Sequence, residues 1–212
     1  MTAIERKQNT ERLLKTLNIP FIDHLPLIEE EHEARIRTPQ EIAKRILVLT
    51  YLNYVSEEPD DREEVIEFLK EQELWDSVSS NEKVLFTKDL SDQEHINISW
   101  RSEAIWLLLW VINVVDTINL PTEEVSIPQM LELLPDFMTD TKGFIQSASI
   151  RTVSEILDLS DLTYRLHWAT RHTELNNLET LDLNSSIIQE RHYAINWVTY
   201  YEDNWDDITT DT

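Results

Sequence analysis

The sequence predicts an all-α fold, one bundle-like helical domain over residues 1–212 around a central buried helix at about 98–117. Three observations carry this reading. At about 100° per residue, the run Trp100 to Val115 is apolar on every side: Leu107 and Val111 point one way, Ile105 and Leu109 the other, and Trp106 and Trp110 stack one turn apart. A helix apolar all round is buried among other helices or in lipid. Asn113 and Asp116 cut the run short of the ~20 apolar residues a membrane span requires, so a core helix is expected. The second observation is the single glycine, Gly143. Hairpin turns and many strand–helix units rely on glycine, so at most a minor strand pair near Gly143 is expected. The third is that helix-start signals recur along the chain.

Taken in order, Thr2 to Leu17 reads as a first helix with Leu13, Leu14 and Leu17 on one side, followed by a proline-marked connector from Ile19 to Leu27. Thr38-Pro39-Gln40-Glu41 combines an N-cap threonine, a first-turn proline and a capping-box glutamate, and opens a helix to about Val55. Pro59-Asp60-Asp61 opens the next, carrying Val65, Ile66 and Leu69. Ser80 to Lys88 forms a short helix before the core helix, which Pro121 follows. Ser126-Ile127-Pro128-Gln129 starts another short one that Pro135 closes, and Thr139 to Gly143 is a turn. Arg151 to Leu175 is a long helix, and Ser186 to Tyr201 is the last, with Ser186 and Gln189 as its capping box. With one glycine available, helix ends must use asparagine as the left-handed residue; Asn18, Asn119 and Asn176-Asn177 stand where such ends fall. The tail from Asp203 to Thr212 is acidic with one aromatic.

Composition removes several function classes. Walker loops, dinucleotide fingerprints and nucleophile elbows need glycine where backbone meets phosphate or turns sharply, and one glycine cannot build them. The absence of cysteine excludes disulfides, thiolate nucleophiles and Cys-based metal sites. A net charge of −23 repels nucleic acid and anionic membrane surfaces, and suits solubility or a basic protein partner. Nine of these acids lie between Glu57 and Glu73 against Arg62 and Lys70, a solvated face or a binding patch. The charged, non-apolar start from Met1 to Leu14 is no signal peptide, so a cytoplasmic location is expected. No metal or cofactor is expected. His167 and His172 point about 140° apart on one helix, no His-Glu-x-x-His pattern occurs, and Asp203 to Asp207 lacks the glycine of a calcium loop.

One set of polar residues stands out. With Asp158 as the zero of the helical wheel, Asp161 lies near 300°, His172 near 320° and Arg165 near 340°, a polar stripe. Leu157 and Trp168 flank it on one side, and Leu159, Leu162, Leu166 and Ala169 on the other, so helices packing there should shelter it. On the last helix, Glu190 sits within an apolar face of Ile187, Ala194, Trp197 and Tyr201. A sheltered carboxylate needs a positive partner. Arg165 is the first choice and Arg101, at the start of the core helix, the second. The set Arg101, Asp158, Asp161, Arg165, His172 and Glu190 is either an ion-pair network fixing how three helices meet or a polar cleft with Arg165, His172 and Glu190 at its floor.

Three blocks resemble a bacterial family known only as domain-of-unknown-function family 4272. They are Ser99-Trp100-Arg101-Ser102-Glu103-Ala104-Ile105-Trp106 with Leu108-Leu109-Trp110; Ile156-Leu157-Asp158-Leu159 with Asp161 to Arg171; and Glu190 to Trp197 with Trp205 to Thr212. The likeness spans about residues 38–212, with 1–37 as an N-terminal helix and connector. The family carries a glycine soon after the core tryptophans; Ile112-Asn113 stands there in this chain, so a longer core helix is expected. The resemblance implies an all-helical, cytoplasmic bacterial protein and brings no activity. Two functions fit: a non-enzymatic interaction module binding a basic partner, as immunity and antitoxin proteins do, or a hydrolase or small-ligand protein with a polar cleft between the helices at 151–175 and 186–201.

Overall fold

The computed structural model describes residues 1–178 and 181–212, and these contain helices and no strand. The helices are α1 (Ala3–Thr16), α2 (Pro39–Glu57), α3 (Arg62–Glu71), α4 (Ser80–Thr87), α5 (Asp92–Ser99), α6 (Arg101–Val111), α7 (Ile127–Leu131), α8 (Lys142–Ser147), α9 (Val153–Leu175) and α10 (Ser185–Val198). Five of them open on a reciprocal capping box, from Thr2, Thr38, Ser79, Ser91 and Thr152 to the glutamate three residues on. Each box satisfies two backbone N–H groups that the first turn leaves without partners.

The packing order is α3 and α4 against α2, α2 against α6, α6 against α10, α10 against α9, and α9 against α1. The helix at Arg101–Val111 is therefore flanked on both sides, and Ala104, Ile105 and Leu107 to Leu109 are fully buried. Helix α2 is used on two faces. Ile42, Ile46 and Leu49 join the α6–α10 core, while Val48, Tyr51, Leu52 and Val55 pack with Val65, Phe68 and Leu69 of α3 and Phe86 of α4. A third, smaller cluster fixes α1, through Leu14, against Leu166 and Ala169 of α9 and Ile188 of α10. Burial of each such Val, Leu, Ile or Phe side chain contributes about 1.5–3 kcal/mol.

The structure corrects several boundaries. The core helix does not run unbroken from 98 to 117. A turn at Trp100 separates α5 from α6, and Ser91 with Glu94 starts α5 upstream of the apolar run. Nor does the helix run on past Ile112: Asn113 turns left-handed (φ 61°), and the Val114 N–H returns to the Leu109 carbonyl. Asparagine tolerates that conformation through its short polar side chain. Asn18 and Asn177 do the same, with φ of 55° and 50°, whereas Asn119 does not, and asparagine is not obligatory: Glu73 after α3 and Tyr200 after α10 are left-handed too, at 57° and 56°. Thr139 to Gly143 is not only a turn, because α8 starts at Lys142. A side chain at Gly143 would meet nothing within 4 Å, so neither crowding nor a positive φ requires glycine there. The N-cap of α10 is Asn184, whose Oδ1 accepts from the Ser186 and Ile187 N–H groups, and not Ser186. Trp110 is buried, but Trp106 is only partly so.

Candidate functional site

The six polar residues singled out in the sequence resolve into separate pairs. Arg101 Nη1 donates to Glu190 Oε2 at 2.9 Å, and its guanidinium lies on the Tyr193 ring, 4.9 Å from the centroid. Burial pushes the Glu190 carboxyl above its usual range, and Arg101 opposes that shift. Arg165 is not the partner of Glu190. It turns back one helical turn, where Nε and Nη2 fork onto Asp161 at 2.8–3.1 Å. Its Nη2 also reaches the Pro26 carbonyl at 3.2 Å. A partner four residues away on the same helix is already positioned by the backbone, so it competes effectively with one on another helix. Asp158 belongs to a third pair: Arg6 Nε donates to it at 2.8 Å while Arg6 Nη2 holds Glu31 at 3.2 Å. His172 stacks on Trp168 at 4.7 Å, nearly parallel, and meets Asn176 through Nδ1.

A fourth pair was not anticipated. Arg191 Nε and Nη2 both donate to Glu103 Oε2, at 3.2 and 3.1 Å, and Glu103 Oε1 accepts from the Val125 N–H at 2.7 Å. The sequence signal was present, an acid inside the most apolar helix of the chain. Each pair ties two elements together or rigidifies one, because an uncompensated charge at these depths is costly.

A polar cleft of about 730 Å³ lies elsewhere, where α2, the chain from Asp76 to Lys83 and the segment around Trp205 meet. Two buried arginines form its wall. Arg37 lies on Trp197 and Tyr200, 4.3 and 4.1 Å from their centroids, and donates to the carbonyls of Trp197, Glu202 and Asp203. Arg45 lies 4.8 Å from the Trp205 centroid, and its Nη1 donates to both oxygens of Glu82. Asp206 closes the start of α4: it accepts from Ser79 Oγ at 2.6 Å and from the Asn81 N–H at 2.9 Å. A carboxylate there meets free N–H groups and the positive end of the helix dipole. The segment from Asp203 onward, an acidic tail by composition, is thus docked, with Trp205 and Ile208 buried. Large apolar residues within an acidic run were the available signal.

Between α9 and α10, His167 and His192 meet Nδ1 to Nδ1 at 2.8 Å with their rings perpendicular. One Nδ1 must carry a proton and the other must be bare, so the accepting ring is neutral. Burial lowers the two to about 4 and about 3, helped by Arg171 beside His167 and by His167 beside His192. Among the described residues, no group of three or more His, Asp or Glu side chains is placed to hold a metal ion. No helix among them is long and apolar enough to cross a membrane.

An all-helical protein whose interior charges are spent on its own architecture is what this geometry defines. The chain belongs to the family described as Domain of unknown function (DUF4272), which matches it over residues 6–208. The match starts within α1, well before residue 38, so the helix that carries Arg6 to Asp158 lies inside it. No curated protein and no solved structure matches the chain.

Proposed function

We propose that this chain is a non-enzymatic interaction protein, cytoplasmic and of the immunity or antitoxin type, that recognises a basic partner protein. The observation that carries this reading is where the charges lie. Among the described residues, five arginines are buried (Arg6, Arg37, Arg45, Arg165, Arg191) against three buried acids (Glu82, Glu103, Asp161), a net of +2. With −23 for the whole chain, the remainder carries −25. Folding therefore hides cations and leaves the outside more acidic than the sequence. The surplus is concentrated: of the nine acids from Glu57 to Glu73, all but Asp61 are exposed. The two cations in that stretch are engaged elsewhere, Arg62 with Asp89 and Lys70 over the Trp75 ring. Such a face raises the encounter rate with a positively charged surface and disfavours acidic competitors.

The test is a titration with a lysine-rich peptide at low and high salt. Neutralising Glu58, Glu63, Glu64 and Glu67 to Gln is compared with neutralising Glu29, Glu30, Glu33 and Glu174. The first set should weaken binding by at least tenfold more than the second. Equal losses would mean a diffuse field without a recognition face.

A further inference from the structure

We propose that the segment from Ile127 to Phe137, together with the adjoining start of α3, is a docking face for a basic amphipathic helix of a partner protein. This rests on the basic-partner reading above and names the form that the partner takes. Four large apolar side chains stand partly in water within this short stretch: Ile127 43%, Leu131 49%, Leu133 37% and Phe137 51% exposed. Single exposed apolar residues are ordinary, whereas a run of them marks a contact surface.

The run is not a loosely held loop. Met130 is buried in the main core and Leu134 packs against it. The Met138 N–H donates to Tyr51 Oη at 3.1 Å, and the Thr141 N–H donates to Gln72 Oε1 at 3.0 Å. The inner face of the segment is anchored, while among the described residues its outer face has no cover. Ile127 and Leu131 lie four apart on α7 and so share one side, the spacing at which a helix lying alongside presents its own anchors.

Charge selects the occupant. From Asn113 to Thr141 the chain carries six acids and no Lys, Arg or His. The Phe137 ring lies tilted against Tyr54, centroids 4.2 Å apart, and the Tyr54 hydroxyl donates to Asp61, so the apolar run adjoins the acidic stretch at the start of α3. A second copy of this chain would bring like charges together across a symmetric contact, and an anionic membrane would be repelled. A helix with leucines on one side and lysines or arginines along its edges satisfies both features. Its apolar side covers Leu131 and Phe137, and its cations meet Asp60, Glu132 and Asp136.

The experiment uses the full chain and two synthetic peptides of equal length and charge, one Leu/Lys amphipathic as a helix, the other Ser/Lys without an apolar side. The amphipathic peptide should bind at least tenfold more tightly and gain helical circular dichroism on binding. Leu131→Ser, at a side chain half in water, should remove that advantage, leave the Ser/Lys peptide unaffected and keep the melting temperature of the chain. Ile127→Ser serves as the second variant. Equal binding of both peptides, with no response to either variant, would overturn the docking face while leaving the basic-partner reading intact. Binding of neither peptide would remove both. A concentration-dependent dimer in sedimentation that Leu131→Ser dissolves would assign the face to a second copy and overturn the proposal.

Discussion

Arg101 and Glu190 meet across 89 positions of sequence, Nη1 to Oε2 at 2.9 Å, and so join the start of α6 to the first half of α10. Arg101→Met leaves Glu190 sheltered without its cation. The expected loss is about 2 kcal/mol, below the 3–5 kcal/mol of a fully buried pair, because both side chains retain some contact with water. The loss should depend on pH. Burial already raises the Glu190 carboxyl, and without Arg101 it rises further. An acid raised in the folded state favours the native form when protonated, so the variant should lose stability as pH rises above about 4.5. Urea unfolding at pH 5 and pH 7 checks the sign, and Arg101→Met with Glu190→Gln should recover most of the loss.

Arg165→Met should cost more, about 3–5 kcal/mol, because Asp161 and Arg165 are 1% and 0% exposed and the stranded carboxylate has no route to water. Replacing Asp161 with Leu in the same molecule should restore much of the stability. A double variant no better than the single would show that the loss comes from packing and not from charge.

The paired histidines should make the fold acid-sensitive. Their neutral forms are favoured in the native state, at about 4 for His167 and about 3 for His192, while the unfolded chain takes up protons near 6.5. Their contribution is complete above pH 6.5 and is lost progressively as pH falls towards 3. Each ring removes up to about 1.4 kcal/mol per pH unit within that window. Substituting both with leucine should flatten the stability profile between pH 6.5 and pH 4. An unchanged slope would place the acid sensitivity in the carboxylates.

Trp205 anchors the C-terminal segment among Arg45, Arg101, Tyr193 and Trp197. Trp205→Ala should cost about 3–5 kcal/mol and expose the chain after Val198 to limited proteolysis. Asp206→Ala removes only its two hydrogen bonds at the start of α4, where the Ser79 cap remains, at about 1 kcal/mol, and should leave the cleavage pattern unchanged.

Asn113 holds a left-handed conformation at φ 61° where α6 ends. Asn113→Val should lower stability by about 1–2 kcal/mol, the cost of a branched side chain in that region, whereas Asn113→Gly should fall within a few tenths of wild type. Thermal melts of the two variants distinguish backbone strain from loss of the Asn113 side-chain contacts to Ser149.

By itself the sequence determined the helical class, the identity of the central helix and most helix starts. The reason is that these are local. A capping box is written within four residues, as at Thr38 to Glu41. Apolar side chains around the whole circumference of residues 101–111 state burial without reference to any partner. The sequence also marked Glu190 as sheltered, since an acid among Ile187, Ala194 and Trp197 must go inside with them. Only the tertiary structure decided which cation it meets. A helical wheel gives direction around an axis but not the height at which two helices cross, so Arg165 and Arg101 were both admissible. The crossing of α6 with α10 selected Arg101, while Asp161 held Arg165 one turn away. The same reason hid the Arg191–Glu103 pair, the meeting of His167 with His192 and the docking of Trp205. Each joins residues whose separation in space is set by how the helices pack, and no pattern within one segment encodes it.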